Sequence, residues 1–372
     1  MQLSIEAAQL AGDHRGIGRY VRRVLAELLT LEPALVATLF VRNAADLATV
    51  AREIPTWTSH ADRVRVATLA SLATRPADVV WYPWNVIRWA PPQAAVVVTI
   101  HDLVPMLFAP TLWRRLYIAP RAARAYRRVL ATADALLANS EFTAAEVRRV
   151  FGTPRQPLRA TPLAADHFAV PPAPTVPDFV GGTPYVLGVG AADARKNVSL
   201  LLNAGAALAR RGTPIRVVLL GPGRALAKRV AAFRAAQPDG AAWLITPGFV
   251  ADATLATLYA HASALVFPST YEGFGLPVLE AMAAGLPVVT TGAASMPEVA
   301  GDAAWIVAPH DVDGLAATMQ VLVAPDAEAE RTRARRIEMG RARAATFSWR
   351  RTASLTLEVF RQVQRPRQDS NL

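Results

Sequence analysis

Two glutamates, Glu272 and Glu280, are separated by seven residues and enclose the turn Gly273-Phe274-Gly275-Leu276. The glycines let backbone N–H groups approach a ligand closely, and the N-terminus of a following helix favours an anion. Pro277 suits a first helical turn, so we expect the helix to begin there. Carboxylates on either side of a bound diphosphate accept hydrogen bonds from hydroxyls, such as those of a sugar and a ribose. The alternative interpretation is a capped helix with two solvated acids.

A second group of candidate residues is basic. Gly190 follows the predicted strand Tyr185–Val189, and Arg195 and Lys196 stand just before the predicted helix Ser199–Arg211. Lys196 is one of only two lysines in a chain that otherwise uses arginine. A point charge on a flexible stem suits a non-bridging phosphate oxygen, so we predict a phosphate contact here. The alternative is a solvated charge pair at a helix start. The pattern is not a G-x-G-x-x-G fingerprint, so it gives no direct case for a dinucleotide.

Three further segments with candidate residues follow predicted strands or loops. His101 comes directly after the predicted strand Ala95–Ile100, where the ligands of open α/β sheets bind, although a satisfied imidazole that caps a loop is an alternative. Gly16 and Gly18 belong to the segment Gly16-Ile17-Gly18-Arg19-Tyr20, which leads into a predicted helix. Gly248 and Phe249 follow the predicted strand Ala242–Thr246. The segment at Gly248 is also compatible with an ordinary turn.

Buried strands and helical patterns alternate along the chain, which predicts doubly wound parallel sheets. The remaining predicted strands are Leu35–Val41, Asp78–Tyr82, Ala135–Ala138, Arg216–Leu220, Ala264–Phe267, Pro287–Thr290 and Ala304–Val307. The remaining predicted helices are Gly18–Leu29, Pro120–Thr132, Thr143–Phe151 and Asp252–His261, with Ser140 or Thr143 and Asp252 as candidate N-caps. We predict one Rossmann-like sheet on each side of a linker rich in proline and a ligand cleft that the two sheets face.

Length and composition restrict the class of protein. A chain of 372 residues with 52% hydrophobic residues has room for two domains with sizeable cores. The absence of cysteine excludes disulfides, thiolate metal sites and a cysteine nucleophile. No bilayer-length apolar run and no signal peptide are evident, so we expect a cytoplasmic protein. The net charge of +11 favours anionic partners, but no nucleic-acid-binding motif accompanies it.

The segment from Tyr271 to Gly285 resembles the E-x7-E region of the retaining glycosyltransferases of family 4, which have the GT-B fold. The similarity continues through Gly285-Leu286-Pro287-Val288-Val289-Thr290 and Ser295-Met296-Pro297-Glu298-Val299 and extends over nearly the whole chain. Asp193-Ala194-Arg195-Lys196-Asn197 is similar to the family's E-P-R-K-N element, with Asp and Ala in place of Glu and Pro. The G-I-G-R-Y segment at Gly16 resembles the mannosyltransferase-like branch.

The resemblance implies a role for each candidate residue. Glu272, His101, Arg195 and Lys196 are the expected catalytic residues: Glu272 orients the transferred sugar, His101 contacts it and the two cations hold the donor diphosphate. The other expected donor-binding residues are Gly16, Gly18, Gly190, Gly248, Phe249, Gly273, Phe274, Gly275, Leu276 and Glu280, with Glu280 on the ribose. The donor is a nucleotide-diphospho-sugar, and the resemblance implies no cofactor and no obligatory metal.

We predict four segments: an N-terminal Rossmann-like acceptor domain (1–168), a linker (169–184), a C-terminal donor domain (185–346) and a closing helix (347–372) that crosses back. The expected acceptor is a glycan or a lipid-linked molecule, with cell-surface polysaccharide synthesis as the setting and no nucleic acid as partner. Arg121, Arg124 and Arg128 share one predicted helix face, so peripheral contact with an anionic membrane is a further hypothesis, against a solvated face as the alternative. A non-catalytic nucleotide-sugar or glycan sensor on the same scaffold is the alternative function.

Overall fold

A computed structural model describes residues 1–13, 16–87, 94–108, 111–166, 175–190, 193–221, 223–237, 239–324 and 326–368. The chain divides into two compact units. The first unit comprises Met1–Leu163 and Ser348–Leu372, and the second comprises Ala164–Phe347. Residues 169–174 of the predicted linker and the last four residues of the chain lie outside the described residues.

The first unit contains a parallel sheet of seven strands in the order β3-β2-β1-β4-β5-β6-β7. Strand order reverses direction between β1 and β4, as in a doubly wound sheet. Because the crossovers place helices on both faces, the central strands are rich in Val, Leu and Ile and fully buried. The strands are β1 (Gln2–Glu6), β2 (Val36–Val41), β3 (Val64–Thr68), β4 (Val79–Tyr82), β5 (Ala95–Ile100), β6 (Ala135–Ala138) and β7 (Leu158–Ala160).

The helices of the first unit include its C-terminal segment. They are α1 (Ile17–Leu31), α2 (Ala44–Trp57), α3 (Val104–Leu107), α4 (Ala119–Thr132), α5 (Glu141–Phe151) and α13 (Trp349–Gln368). Helix α13 packs against α1 and the central strands. Phe360 of α13 is fully buried with its ring 6.0 Å from that of Trp81, so this helix completes the core on one face of the sheet.

The second unit contains a parallel sheet of six strands in the order β10-β9-β8-β11-β12-β13. Its strands are β8 (Tyr185–Val189), β9 (Arg216–Leu220), β10 (Leu244–Gly248), β11 (Ala264–Phe267), β12 (Val288–Thr291) and β13 (Trp305–Val307). Its helices are α6 (Val198–Arg210), α7 (Arg224–Ala235), α8 (Asp252–His261), α9 (Leu276–Ala283), α10 (Met296–Ala300), α11 (Val312–Val323) and α12 (Ala327–Ala345). Because β8 and β11 pair in parallel, the loops that follow them emerge at the same edge of the sheet.

The structure corrects some of the element boundaries predicted from the sequence. The strand predicted at Ala242–Thr246 is Leu244–Gly248, with a register shift between Ile245 and Gly248. The predicted N-cap Asp252 lies inside the first turn of α8, and Ala251 is the cap residue. Ser140 caps α5 as predicted, because its hydroxyl accepts a hydrogen bond of 2.9 Å from the Thr143 amide.

Within the described part of the chain, no helix combines the length and the apolar character that a membrane crossing requires.

Candidate functional site

The turn between β11 and α9 has the conformation that its glycines predict. Gly275 is the N-cap of α9 with a φ of 105°, in the left-handed region that favours glycine. A Cβ atom at this position would also lie 2.3 Å from the Met296 methyl group. Pro277 lies in the first turn of α9, as expected. The hydroxyl of Ser295 lies 2.9 and 2.6 Å from the carbonyl oxygens of Glu272 and Phe274, and the proton that it shares between these two acceptors holds the turn.

Arg195 and Lys196 lie in a short 3-10 turn, Ala194–Lys196, that precedes α6. Asp193 caps this turn and accepts hydrogen bonds from both the backbone and the side chain of Arg195. Burial raises the pKa of the Asp193 carboxyl, but the hydrogen bonds from Arg195 outweigh burial and hold the pKa below its ordinary value. Asn197 then takes a left-handed conformation with a φ of 49°, and the chain enters the helix. Arg195 and Lys196 are therefore fixed at the end of β8.

Glu272 joins the two predicted motifs. Its carboxylate accepts from Lys196 Nζ at 2.6 Å and from Arg195 Nη1 at 3.0 Å. The Ser269 hydroxyl donates to the same carboxylate at 2.5 Å, and the Lys196 ammonium lies 5.1 Å from the centroid of the Phe267 ring. The side chains of Arg195, Lys196 and Glu272 are largely buried, so their ion pairs are stronger than ion pairs exposed to water. Two cations and two carboxylates, the second from Asp193, form a charge-balanced cluster at this edge of the sheet.

The backbone also connects the two motifs. The carbonyl oxygen of Arg195 accepts from the Thr270 amide at 2.7 Å, and the Ser269 hydroxyl oxygen lies 3.0 Å from it. The pairing of Ser269 with both Glu272 and Arg195 was not predicted from the sequence, because a serine in a loop carries no pattern of its own. Its position three residues before Glu272, directly after a buried strand, was the available signal.

Glu280 occupies α9 one turn after its start and is 4% exposed. The Tyr259 hydroxyl lies 3.5 Å from Glu280 Oε2. A carboxylate is rarely buried to this degree unless partners satisfy it. The alternative interpretation of Glu280 as a solvated acid is therefore wrong, and Tyr259 is a neighbour that sequence reasoning did not identify.

The other predicted residues of the second unit lie at the ends of neighbouring strands. Gly190 follows β8, and a Cβ atom there would lie 2.8 Å from a Val198 methyl group. A Cβ atom on Gly221, after β9, would meet the Gly190 carbonyl oxygen at 2.0 Å, so these two loops touch through their backbones. Gly248 ends β10 with a φ of 81°, and the following Phe249 is 71% exposed. Gly273, Phe274 and Leu276 belong to the turn that Glu272 opens.

The predicted residues of the first unit cluster around α1. Gly16 is the N-cap of α1 with a φ of 60°. A Cβ atom on Gly18 would lie 1.8 Å from the Asp13 carbonyl oxygen, so only glycine fits there. Tyr20, one turn into α1, contacts the His101 ring edge-on with centroids 5.1 Å apart. The glycine segment and His101 are thus linked through one helix of the first unit.

His101 is a neutral, buried imidazole. Burial lowers its pKa to about 4. Its Nε2 lies 2.8 Å from the Pro83 carbonyl oxygen, which can only accept, so Nε2 carries the proton and Nδ1 is the ring atom with acceptor character. The His101 amide donates to Asn85 Oδ1 at 2.6 Å. The loop after β4 therefore fixes both the backbone and the tautomer of His101.

Among the residues that the structure describes, no group of three His, Asp or Glu side chains is arranged to hold a metal ion.

Comparison with known proteins finds a matching family model for each of two parts of the chain. Residues 14–167 match the family model described as Glycosyltransferase Family 4, and residues 183–324 match the model described as Glycosyl transferases group 1. Each unit thus contains a segment that matches a glycosyltransferase family model. The crystal structure of Anabaena Alr3699/HepE in complex with UDP-glucose has a similar fold, with a TM-score of 0.71, 16% identity and complete coverage of both chains. This similarity confirms the GT-B fold class predicted from the sequence.

Two curated relatives are mannosyltransferases from Escherichia coli. The O-antigen chain mannosyltransferase B is 33% identical over 238 residues, which cover 62% of this chain and 61% of the relative. The serotype-specific mannosyltransferase WbdA is 28% identical over 316 residues, which cover 80% of this chain and 35% of the relative. The matches therefore span less than two thirds of these relatives.

Proposed function

We propose that this chain, which carries the domains of a GT-B glycosyltransferase, transfers a hexose from a nucleotide-diphospho-sugar to an acceptor hydroxyl. The observation that carries the proposal is the cluster in which Arg195 and Lys196 both contact Glu272. It places cations suited to a diphosphate directly beside a carboxylate suited to sugar hydroxyls. A helix N-terminus and a turn containing two glycines adjoin the same cluster.

Donor binding is an exchange of partners in this cluster. The donor diphosphate brings negative charge to Arg195 and Lys196, which then turn from Glu272 to phosphate oxygens. The Glu272 carboxylate, relieved of its two cations, accepts hydrogen bonds from hydroxyls of the transferred sugar. Glu280 binds the ribose hydroxyls, and the backbone around Gly248 and Phe249 contacts the base.

The chemical step develops negative charge on the leaving diphosphate as the bond to the anomeric carbon breaks. Arg195, Lys196 and the N–H groups of the turn from Gly273 to Leu276 stabilise that charge. Groups fixed in advance accelerate the step because they interact more strongly with the transition state than with the ground state. The two cations supply this stabilisation without an obligatory metal. His101 keeps the role that the resemblance implies, a contact with the transferred sugar.

We further propose that the anomeric configuration is retained. Glu272 interacts with two cations and a serine hydroxyl, which suits an orienting group better than a nucleophile. The acceptor oxygen attacks the face that the diphosphate leaves, and the departing phosphate oxygen takes the acceptor proton. Nuclear magnetic resonance of the product tests this step: an inverted anomeric centre would contradict it.

Mannose is the proposed sugar, because the resemblance at Gly16 and the two curated relatives favour it. A glycan or a lipid-linked molecule in polysaccharide synthesis is the proposed acceptor. Arg121, Arg124 and Arg128 are exposed on α4, while Tyr126 and Val129 on its opposite side are buried. This arrangement supports peripheral electrostatic contact with an anionic membrane.

A donor panel tests the function directly. Thermal shift is measured with nucleoside diphosphates and with their mannose and glucose derivatives. A ligand present at about 100 times its dissociation constant adds about 2.7 kcal/mol to the stability. A bound donor is then incubated with candidate acceptors, and release of nucleoside diphosphate is followed. Donor binding without release under any acceptor would favour a non-catalytic sensor, and no binding of any donor would contradict both functions.

A further inference from the structure

An exposed apolar cluster stands on the first unit, outside the candidate site. It comprises Leu112, Trp113, Leu116 and Tyr117, whose exposed fractions are 72, 60, 59 and 49%. These four are half of the large hydrophobic residues that are exposed in the described part of the chain. Isolated exposed hydrophobic residues are ordinary, but a contiguous group marks an interaction surface. We call this group the apolar cluster.

The backbone brings the four side chains to one face. Residues Arg114–Ile118 form a π-helical turn that continues into α4, and the Ala119 amide donates to the Arg114 carbonyl oxygen. Leu112 and Leu116, like Trp113 and Tyr117, are four residues apart, a spacing that brings side chains to the same side of a helix. The Trp113 and Tyr117 rings are stacked, with centroids 6.3 Å apart and an interplanar angle of 30°. π-helical turns of this kind are frequent at functional sites.

Cationic side chains surround the apolar cluster. The chain from Thr111 to Ala133 contains six arginines and no acidic residue. Arg121 donates to the Tyr117 carbonyl oxygen at 3.2 Å, and its guanidinium carbon lies 5.9 Å from the centroid of the Tyr117 ring. Arg114 and Arg115 are exposed within the π-helical turn itself. The cluster therefore combines apolar side chains with a strongly positive surrounding.

The helix that follows the apolar cluster, α4, packs against the core of the first unit. Tyr126 of α4 is buried and donates a hydrogen bond of 2.8 Å to the Asp102 carbonyl oxygen. Val129, also on α4, is fully buried in the same core of the first unit as Tyr126. These contacts hold α4 against the sheet and leave its arginines and the preceding apolar cluster facing outward.

We propose that the apolar cluster inserts into the interfacial region of an anionic membrane and that the surrounding arginines bind lipid phosphates. Tryptophan and tyrosine suit this region because each has an apolar ring and a polar group. Apolar side chains on one face and arginine beside them are typical of helices that lie in a membrane interface. The proposal adds apolar insertion to the electrostatic contact proposed above, and it does not depend on the reaction that the site catalyses.

Two variants distinguish the contribution of apolar insertion to vesicle binding from the contribution of positive charge. Vesicles with phosphatidylglycerol contents from zero to high are sedimented with wild type, W113S/Y117S and R121S/R124S/R128S. We expect W113S/Y117S to lower the partition coefficient about tenfold, since each large apolar side chain contributes strongly when it leaves water. Each arginine contributes about fivefold near an anionic surface, so the arginine variant loses most of the dependence on anionic lipid. The apolar variant keeps that dependence and loses binding at high salt.

Matched controls remove exposed residues of the same type from the second unit. I306S/V321S removes two exposed apolar side chains, and R224S/R331S/R335S removes three exposed arginines of the second unit. Both controls bind vesicles as wild type does. The substituted side chains are all exposed, and circular dichroism with thermal melting verifies that each variant is folded. Equal binding of W113S/Y117S and wild type, or no binding of wild type to anionic vesicles, would overturn the proposal.

Quenching by brominated acyl chains measures insertion itself. Wild-type tryptophan fluorescence is quenched on vesicles that carry brominated lipid. W113F keeps an apolar ring but removes this fluorophore, so it binds the vesicles and loses the quenching. Sedimentation of wild type without quenching would mean headgroup contact alone and contradict insertion. A concentration-dependent dimer that W113S/Y117S abolishes, without vesicle binding, would instead identify a second copy of the chain as the partner.

Discussion

Lys196 and Glu272 form an ion pair of 2.6 Å although they lie 76 positions apart in the chain. The second oxygen of the same carboxylate contacts Arg195 Nη1 at 3.0 Å. The pairing of β8 with β11 makes this possible, since it brings the loops after the two strands to one edge of the sheet. In the absence of a donor, the carboxylate balances the charge of both cations. A donor diphosphate takes over this role, so the two cations reach the leaving group from positions already adjacent to it.

Replacement of Lys196 by alanine removes one of the two cations from the proposed diphosphate site. We expect Lys196→Ala to lower kcat by about 10²-fold or more, the scale at which the loss of one transition-state stabiliser is felt. Steady-state kinetics with the donor identified by thermal shift measures the change. Lys228→Ala is the matched control, because Lys228 is the other lysine and is exposed on α7. Equal activity of Lys196→Ala and wild type would exclude Lys196 from the site.

Replacement of Glu272 by glutamine has a different expected effect on binding and on turnover. The substitution removes the charge that balances Arg195 and Lys196, so the affinity for the nucleoside diphosphate stays the same or rises. Turnover falls by about 10²-fold or more, because the amide is a weaker acceptor for the sugar hydroxyls. Calorimetry with the nucleoside diphosphate and kinetics with the full donor separate the two effects. A parallel loss of diphosphate affinity would show that Glu272 mainly positions the cations.

The sequence alone was sufficient for most strands at the centre of the two sheets, but not for β1 (Gln2–Glu6), for which no bounds were predicted. Ala95–Ile100, Tyr185–Val189 and Ala264–Phe267 were predicted with the bounds that the structure shows, because continuous apolar runs are typical of strands buried on both faces. The strand Val64–Thr68 was not predicted, since it lies at the edge and includes the exposed Arg65. Leu158–Ala160 was missed because three residues are too short for a recognisable pattern.

The individual motifs of the site were also recognisable in the sequence, but their contacts were not. Glycine and charge spacing identified the turn at Glu272 and the pair at Arg195. The order of strands in the sheet determines that these two loops meet, and a single sequence contains no direct signal of strand order. The hydroxyl of Ser269 and the phenol of Tyr259 were missed for the same reason, since their partners are fixed by tertiary packing.

Removal of divalent metal is expected to leave activity unchanged. Arg195 and Lys196 supply positive charge at the place where the proposed mechanism requires it, so activity persists after dialysis against EDTA. The assay is nucleoside diphosphate release before and after chelation, with added Mg²⁺ or Mn²⁺ as the comparison. A strict requirement for either ion would count against the proposed role of the two cations.

Helix α13 is expected to be essential for the stability of the first unit. Phe360 is fully buried against Trp81, and substitution of a buried phenylalanine by alanine costs about 3–5 kcal/mol. Phe360→Ala therefore lowers the free energy of unfolding by that amount in urea titration, and truncation after Thr346 lowers it further. Glu358→Ala, on the exposed side of the same helix, is the control. Unchanged melting of the truncated chain would contradict the contribution of α13 to this core.

Because His101 is buried and neutral, we expect the free energy of unfolding to depend on pH in a specific range. Its pKa is about 4 in the folded protein and about 6.5 when unfolded, so between these values the unfolded state binds more protons. The stability that the neutral His101 imidazole contributes is fully present above pH 6.5 and is lost as the pH falls from about 6.5 towards about 4. Linkage between these two pKa values gives a loss of about 2 kcal/mol from pH 7 to pH 5.

Substitution identifies His101 as the source of that loss. His101→Gln does not titrate in this range, so wild type loses about 2 kcal/mol more than His101→Gln between pH 7 and pH 5. His310→Gln is the matched control because His310 is exposed, and it keeps the acid sensitivity of wild type. Urea titrations at the two pH values measure both differences. An equal loss in wild type and His101→Gln would mean that the His101 imidazole is not held neutral by burial, and the assignment of its Nδ1 as an acceptor would then fail.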